Sequence, residues 1–505
     1  MKLKKLATSC ALGVILTAGA MAENLVILHT NDMHSNVRPE QPAKAGAMAR
    51  VKAAVDSIRL AEPHVMLLDA GDDVQGHMYF TLFGGRVEYE MMNRMGYDAT
   101  TIGNHEFDNG MDSLAANYRR LEFPVVNANY GFAGTPVDGL VKPYIIKNYR
   151  GKRFAIIGAG ANPESLVIDK NYEGMTYRDP IALVDSIAGA LKAAGKADYA
   201  IALTHIGYRP KSSNLPSDSV MALSTSNIDL ILGGHSHTSI DPAKGNHQYV
   251  FTNKAGRKVL VAQNKNECPT MTKITIDLDD LQKLPAYELL PIDKRYDGAL
   301  DSYTDNWLKP YDAEVKKVME TAIGTTTEEM PRHSIVQRNW AADAIKTVGE
   351  QLSGLTVDGG LTNLGGLRAD LPKGDVSLGG IFNLIPFDNV ITVLEMDGAL
   401  LQQCLDDVAK TGGQCVSREI TFTIKGGKAA NARISGKKID PKRIYRISTI
   451  SYVADGKDEL FSFSKAKSVY QSDRPMKFDV VDYIKALTAA GQPLTIDHKQ
   501  RTTRK

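Results

Sequence analysis

The stretch Thr100–Asp108, Thr-Thr-Ile-Gly-Asn-His-Glu-Phe-Asp, decides how this chain reads. The β-branched run Thr100–Ile102 has the text of a strand. Gly103 permits a tight turn, and Asn104, His105 and Glu106 follow at once with oxygen and nitrogen donors. Four other segments repeat the pattern: Asp32-Met33-His34 after Leu25–Leu28, Gly71-Asp72 after Val65–Leu68, Thr204-His205 after Tyr199–Leu203, and Gly234-His235-Ser236-His237 after Leu230–Leu232. A strand that stops at a ligand places it at the rim of a sheet, and such rims converge at the carboxyl ends of strands in α/β sheets. Two cations need about this many N and O donors, so a two-metal hydrolase is the reading that accounts for all five segments together.

Taken singly, these residues carry little. A His at a strand end is ordinarily a surface or core residue, and an Asp such as Asp32 or Asp72 is ordinarily a turn or cap. Jointly, Gly-Asn-His-Glu and Gly-His-Ser-His behind separate strands of one domain exceed coincidence. Asp32 and His34, two apart, can face one cavity from a loop. Asp72 has two oxygens that can span two cations and offset their charge. Asn104 offers a neutral oxygen, and His205, His235 and His237 offer imidazole nitrogen. This mixed set suits Zn²⁺, Mn²⁺, Fe²⁺ or Ni²⁺ better than Ca²⁺, which takes oxygen throughout. His29, His64, His77, His247, His333, His498 and Asp73 lack this context and read as ordinary residues.

With 505 residues the chain exceeds the ~250–300 at which one core usually divides. Residues 1–22 read as a signal peptide: Met1–Lys5 is basic, Leu6–Thr17 mostly apolar, and Ala20-Met21-Ala22 a small-x-small cleavage site. That apolar stretch is shorter than the ~20 residues of a membrane span. Cys10 sits inside it, which argues against lipidation. Removing 1–22 takes away Lys2, Lys4 and Lys5 and turns a net charge of +2 into −1. A near-neutral mature chain gives no electrostatic case for nucleic acid or a membrane surface. The expected location is exported, periplasmic or secreted. Three cysteines remain. Cys404 and Cys415 are close enough in sequence to pair in an oxidising compartment, or all three including Cys268 are reduced core residues.

Within a first domain expected over residues 23–298, residues 24–275 alternate strand and helix text, with helical stretches at Ala43–Leu60, Val87–Met95, Ile181–Ala194 and Val220–Ser224. Val259–Ala262 and Thr272–Leu278 look like later strands, and 280–296 loses periodicity. Residues 299–324 form a connector, because Leu300, Tyr303, Trp307, Tyr311, Val315 and Val318 recur at helical spacing. A second α/β unit occupies 325–505, with helices at Asn339–Leu352 and Gly398–Lys410, strands near Ile420–Ile424 and Tyr445–Ile450, and a Gly-rich turn at Asn363–Arg368.

The strings Ile27–Ser35, Gly71-Asp72…Gly76, Gly103–Asp108, Thr204-His205 and Gly233–Thr238 resemble the calcineurin-like metallophosphoesterases, and their order resembles the exported 5′-nucleotidase family over nearly the whole mature chain. The resemblance implies an N-terminal layered α/β/β/α domain, a connector helix that acts as a hinge, and a C-terminal α/β substrate-binding domain. It implies that Asp32, His34 and His237 bind one metal, that Asn104, His205 and His235 bind the other, and that Asp72 bridges them. The two ions would be divalent: Zn²⁺, Mn²⁺, Fe²⁺ or Co²⁺. His105 and Asp108 match the family's catalytic dyad, in which the His contacts phosphate and the Asp orients it.

In the second domain, Asn363, Gly365 and Arg368 fall in a string that resembles the family's Asn-Gly-Gly-x-Arg substrate loop, where glycines admit an anion and the Arg adds a fork of donors. Asn339 and Asp343 match the preceding helix, and Arg332 and Arg338 are candidate second phosphate contacts. Phe387 matches the Phe that stacks on a nucleobase. The partner aromatic of the family falls at Leu460 here, with Phe461 one step on and Phe463 three, so Phe461 is the candidate. The implied activity is hydrolysis of nucleoside 5′-monophosphates by a metal-activated hydroxide. Rivals within the family act on 2′,3′-cyclic nucleotides or UDP-sugars, and a sulfur-substrate hydrolase of the superfamily is more remote. A different class is a non-catalytic exported nucleotide-binding protein. The expected partner is a small-molecule nucleotide or phosphate ester.

Overall fold

The computed structural model describes residues 24–39, 45–164, 166–167, 169–210, 215–387 and 389–504. The expected leader 1–22, with Cys10 and its cleavage site, lies outside the described residues. The chain divides into two compact units, residues 1–308 and 309–505. The expected connector is the helix Ser302–Met319, and the division falls inside it. Among the described residues no helix is long and apolar enough to cross a membrane.

The first unit is built on two sheets. In the seven-stranded one, Asn24–Thr30, Val65–Asp69, Ala99–Thr100, Val125–Val126 and Val141–Lys142 run side by side in parallel, and Thr270–Asp277 and Ala286–Pro291 are added antiparallel beyond Asn24–Thr30. In the six-stranded one, Lys152–Gly160, Tyr199–His205, Leu230–Gly233 and Lys258–Ala262 are parallel, with antiparallel strands Tyr144–Tyr149 and Val250–Thr252 at the two edges. The sheets share one core: Leu25, Ile27, Met66 and Leu68 from the first pack with Ile156, Ile201, Leu203 and Leu232 from the second. The other face of the second sheet packs Ile157, Ala202 and Ile231 against Val184, Ala188 and Leu191 of helix Pro180–Ala193. Helices Met48–Ala61 and Arg86–Met95 contact each other and bury Met48, Val51, Val87 and Met91, giving the α/β/β/α layering.

A strand buried on both faces must be apolar throughout, and Tyr199–His205 is buried at every position. The edge strand Ala286–Pro291 escapes sequence reading for the opposite reason. Half-exposed along its length, it carries no continuous apolar run, and it is recruited by pairing with Thr270–Asp277.

In the second unit a five-stranded sheet is ordered Cys415–Val416, Gly359–Thr362, Ile444–Ile450, Ile391–Asp397, Lys467–Gln471. Helix Ile335–Ser353 packs on it, capped at its start by Ser334 and stopped at Gly354 with φ 66°. A smaller sheet pairs Lys437–Lys438, Lys428–Ile434, Ile420–Lys425 and Thr502–Arg504. Cys404 and Cys415 do not pair. Both are free and buried, as is Cys268, and the Cys404 sulfur lies 3.9 Å from that of Met396.

Candidate metal centre

Parallel register carries the ligand segments to one rim in each of the two sheets. Thr30 is level with Asp69, Asp69 with Thr100, and Thr204 with Gly233. The residues that follow these levels include Asp32, Asp72, Asn104, His205 and His235. The loops are then sewn together: Asp32 N–H donates to Gly71 O (2.9 Å) and His34 N–H to Asp72 O (3.0 Å).

The donors gather in two groups. Asp32, His34 and His237 each offer a ligand atom within 4.8 Å of the others. Within that group, His34 Nε2 is 3.1 Å from His237 Nε2, and His237 Nε2 is 3.2 Å from Asp32 Oδ1. Asp72, His205 and His235 form the second group, again within 4.8 Å. His205 Nε2 is 3.0 Å from Asp72 Oδ2, and Asn104 Oδ1 joins at 2.9 Å from His235 Nδ1. The His205 ring is fully buried, and its Nδ1 donates to Ala70 O at 2.7 Å. That bond turns Nε2 toward Asp72, where it makes no hydrogen bond. A buried nitrogen left in this way, aimed at a carboxylate, fits a cation ligand.

Backbone strain marks the same residues. Asp32, His34, Asp72, His235 and His237 have φ of 52°, 48°, 57°, 76° and 52°. Left-handed backbone at non-glycine residues costs of order 1–3 kcal/mol each and persists where the surroundings over-determine it. Two glycines bring the loops into contact. A Cβ on Gly103 would collide with Asp72 Oδ1, and one on Gly71, whose φ is 82°, would stand 2.6 Å from the Gly103 nitrogen.

Charge is arranged unevenly across the buried carboxyls. Burial pushes Asp69 up to about 6, Glu106 up to about 7 with help from Asp72, and Asp73 well above the usual range with help from Asp69. Burial raises Asp72 and Asp32 too. It is outweighed at Asp72 by His205 and His105, which hold it well below the usual range, and at Asp32 by His237, which holds it at about 2. The two carboxylates held below the usual range are thus one in each donor group. Burial lowers His34 to about 4, reinforced by His237, so its ring is neutral and offers a lone pair at pH 7.

His105 belongs to neither group. Its ring stands beside that of His34, with centroids 5.3 Å apart, and its Nδ1 is 2.9 Å from Asp108 Oδ2. Burial disfavours the charged ring, but Asp72 and the Asp108 hydrogen bond outweigh it and lift His105 to about 9. Sequence reading missed the residues that hold these loops. Gln263 donates to Gly234 O (2.7 Å) and accepts from Ser236 Oγ and Thr238 N–H (2.7 Å each). Asn31 donates to Asp32 Oδ2 at 2.6 Å.

In the second unit, Asn363, Gly365, Arg368 and Phe387 line a single cavity of about 250 Å³, completed by Gly366, Asn389, Tyr452 and Asp458. The Arg368 guanidinium lies 5.1 Å from the Phe387 ring centre, and Asp458 accepts from Asn363 Nδ2 (2.6 Å) and Tyr452 Oη (3.1 Å). Phe461 is not part of this lining. It opens the 3₁₀ turn Phe461–Lys465 and is 62% exposed, while Leu460 and Phe463 are buried in the core. Arg332 and Arg338 do not line the cavity either. They are spent on the carbonyls of Leu367 and Gln414. Asn339 ties down the Asp497 and Lys499 carbonyls, and Asp343 pairs with Arg418 and Arg501.

Known proteins share both units. Residues 25–239 match the family model described as calcineurin-like phosphoesterase, and residues 319–466 match the 5'-nucleotidase C-terminal domain. The chain is 27% identical over 501 residues to the trifunctional nucleotide phosphoesterase protein YfkN of Bacillus subtilis (strain 168), covering 88% of this chain and about a third (32%) of that longer one. It is 26% identical over 475 residues to protein UshA of Yersinia enterocolitica, covering 86% of each. The crystal structure of a 5'-nucleotidase precursor from Thermus thermophilus superposes with a TM-score of 0.60 at 24% identity, covering 95% of this chain and 99% of that one. Members of the phosphoesterase family use divalent metals, and this chain has two candidate ligand groups. The chain belongs to the calcineurin-like metallophosphoesterases that carry a 5′-nucleotidase C-terminal domain, and it is a nucleotide phosphoesterase, a hydrolase.

Proposed function

We propose that this protein hydrolyses nucleoside 5′-monophosphates to nucleoside and phosphate, outside the cytoplasm, where its leader residues 1–22 would direct it. The observation that carries the reading is the pair of donor groups, each within 4.8 Å, with the His105–Asp108 pair beside them. Asp32, His34 and His237 would hold one divalent cation and Asn104, His205 and His235 the other, with Asp72 shared. When bound, the cations supply Lewis acidity toward phosphoryl oxygens and a water of lowered pKa. His105, charged at pH 7, donates to a phosphoryl oxygen as negative charge develops there. Asp108 accepts its Nδ1 proton in a hydrogen bond and so fixes the ring with Nε2–H free to reach substrate. Asp72 and Asp32 would offset two of the four positive charges that two divalent cations bring, leaving a net positive site for an anionic phosphate.

The cavity of the second unit is the proposed nucleoside binder. Arg368 presents a fork of donors for an anion. Tyr452 takes the part expected of Phe461 and, with Phe387, offers aromatic faces to a base, each worth ~1–3 kcal/mol. Tyr452→Ala is therefore expected to raise KM for AMP about tenfold, and Phe461→Ala to leave it within about twofold, since ~1.4 kcal/mol corresponds to one decade. The reverse ranking in steady-state kinetics would return the aromatic role to Phe461.

The activity itself is tested by phosphate release from AMP, UDP-glucose and 2′,3′-cAMP, each with Mn²⁺, Zn²⁺ or Co²⁺ and with chelator. AMP is expected to be cleaved best and chelator to abolish turnover. Faster release from UDP-glucose or 2′,3′-cAMP would move the assignment to those rivals. Tight AMP binding by metal-replete protein with no phosphate release would favour a non-catalytic nucleotide binder.

A further inference from the structure

One buried carboxylate at the centre has no part in the mechanism above. Glu106 is 5% exposed. Its Oε2 accepts from the backbone N–H of Asp72 at 3.0 Å and of Gly103 at 2.6 Å, and its Oε1 accepts from Asp73 N–H at 2.9 Å. These donors belong to two loops, one after strand Val65–Asp69 and one after Ala99–Thr100. A second tie runs the other way, from His105 N–H to Asp72 Oδ1 at 2.9 Å. Each loop thus lends a carboxylate to the backbone of the other. The glycines at 71 and 103 leave no room for the loops to slip, because a Cβ at either would clash.

Three N–H donors on one buried carboxylate exceed what a turn requires. A buried backbone N–H left without its acceptor carries the full desolvation penalty of that group, so three such donors on one side chain hold both loops to it. The backbone so fixed carries Asp72 on one side and Asn104 and His105 on the other. We propose that Glu106 is a positioning residue: by clamping the 71–73 and 103–106 loops together it sets where Asp72 and Asn104 meet their cations and where His105 meets phosphate. This rests on the two-cation reading given above. Glu106 touches neither substrate nor cation in this role. A side chain that merely filled space would be replaced without penalty by Gln.

Glu106→Gln keeps the volume and removes an acceptor. Whichever way the amide turns, an NH₂ group faces at least one loop N–H. Outer partners of metal ligands typically change affinity or activity by about 10–100-fold. Glu106→Gln is thus expected to weaken uptake of the second Mn²⁺ about tenfold, and Glu106→Ala about 100-fold. The electron paramagnetic resonance signature of a spin-coupled Mn²⁺ pair should fade in step, and kcat should fall while KM for AMP stays within about threefold. Glu88→Gln, at a buried carboxyl in helix Arg86–Met95 outside this clamp, is the folded control and should keep the wild-type Mn²⁺ signal.

The full-length chain is titrated with Mn²⁺ alone. A coupled pair in the wild type and in Glu88→Gln, weakened in Glu106→Gln, is the expected result. A coupled pair with unchanged Mn²⁺ affinity in Glu106→Gln would overturn the clamp and leave the two-cation reading standing. Failure of the wild type itself to take up two Mn²⁺ would overturn both, so the two failures are told apart. Should Glu106→Ala fail to fold, the isosteric Gln variant alone decides the question.

Discussion

His105→Ala lowers kcat toward AMP by about 10²–10³-fold, the usual cost of removing one positioned donor from developing charge, while metal uptake is retained. That range corresponds to about 3–4 kcal/mol of transition-state stabilisation. The expectation follows from where the ring stands. It is in neither donor group, and the tie from this residue to Asp72 is a backbone N–H that alanine keeps. Its side chain is 23% exposed, so a substrate can reach it. Single-turnover kinetics with metal content measured on the same sample check the result. A second substrate sharpens it. If the ring donates to a non-bridging phosphoryl oxygen, p-nitrophenyl phosphate suffers as large a loss as AMP. If it protonates the leaving group, the loss shrinks for p-nitrophenolate, which needs no proton. Wild-type kcat in a metal-replete variant would remove His105 from the chemistry.

The first unit was largely legible because its candidate ligands obey a local rule. In a parallel sheet the strands end level with one another, so a donor written just after each apolar run ends up beside the others; Thr30, Asp69 and Thr100 share one such level. What text could not give was how the donors are held. Glu106 reads as one letter of a ligand motif, yet its partners are backbone groups of residues 72, 73 and 103. Gln263 supports the His235 and His237 loop across 25 to 29 positions of chain. Left-handed backbone at five candidate ligands is likewise invisible, since His and Asp carry no conformational signature comparable to glycine.

The second unit was less legible, and Tyr452 shows why. Antiparallel register sets Ile391 opposite Ile450. That pairing brings Phe387 and Asn389, just before one strand, close to Tyr452, just after the other. Ser451 N–H donates to Val390 O at 3.0 Å and secures the junction. Position within a motif string pointed instead to Phe461, which the turn after Leu460 leaves exposed. The aromatic ring that lines the cavity with Phe387 thus comes from a point of the chain that strand register, not the motif string, brings there.

Asp72→Asn is the severest single change at the centre, with turnover expected to fall about 10³–10⁴-fold, or roughly 4–5.5 kcal/mol. Its group otherwise consists of His205, His235 and the Asn104 amide, so the substitution leaves a neutral donor set around a buried divalent ion. An uncompensated buried charge costs several kcal/mol. The shape of asparagine is nearly that of aspartate, so the loss reports charge and shared coordination rather than packing. One Oδ1 hydrogen bond, from His105 N–H, survives if the amide oxygen takes that side. The amide NH₂ then faces His205 Nε2, which stood 3.0 Å from Oδ2, and competes with a cation for that lone pair. Metal-dependent stability provides a readout independent of turnover. A ligand at about 100 times its dissociation constant stabilises the native state by about 2.7 kcal/mol, so wild-type protein should melt several degrees higher with Mn²⁺ than with chelator. Asp72→Asn should lose most of that difference, whereas His105→Ala should keep it. An Asp72→Asn variant whose melting temperature still rises with Mn²⁺ as in the wild type would show that this carboxylate is not the shared anion of the pair.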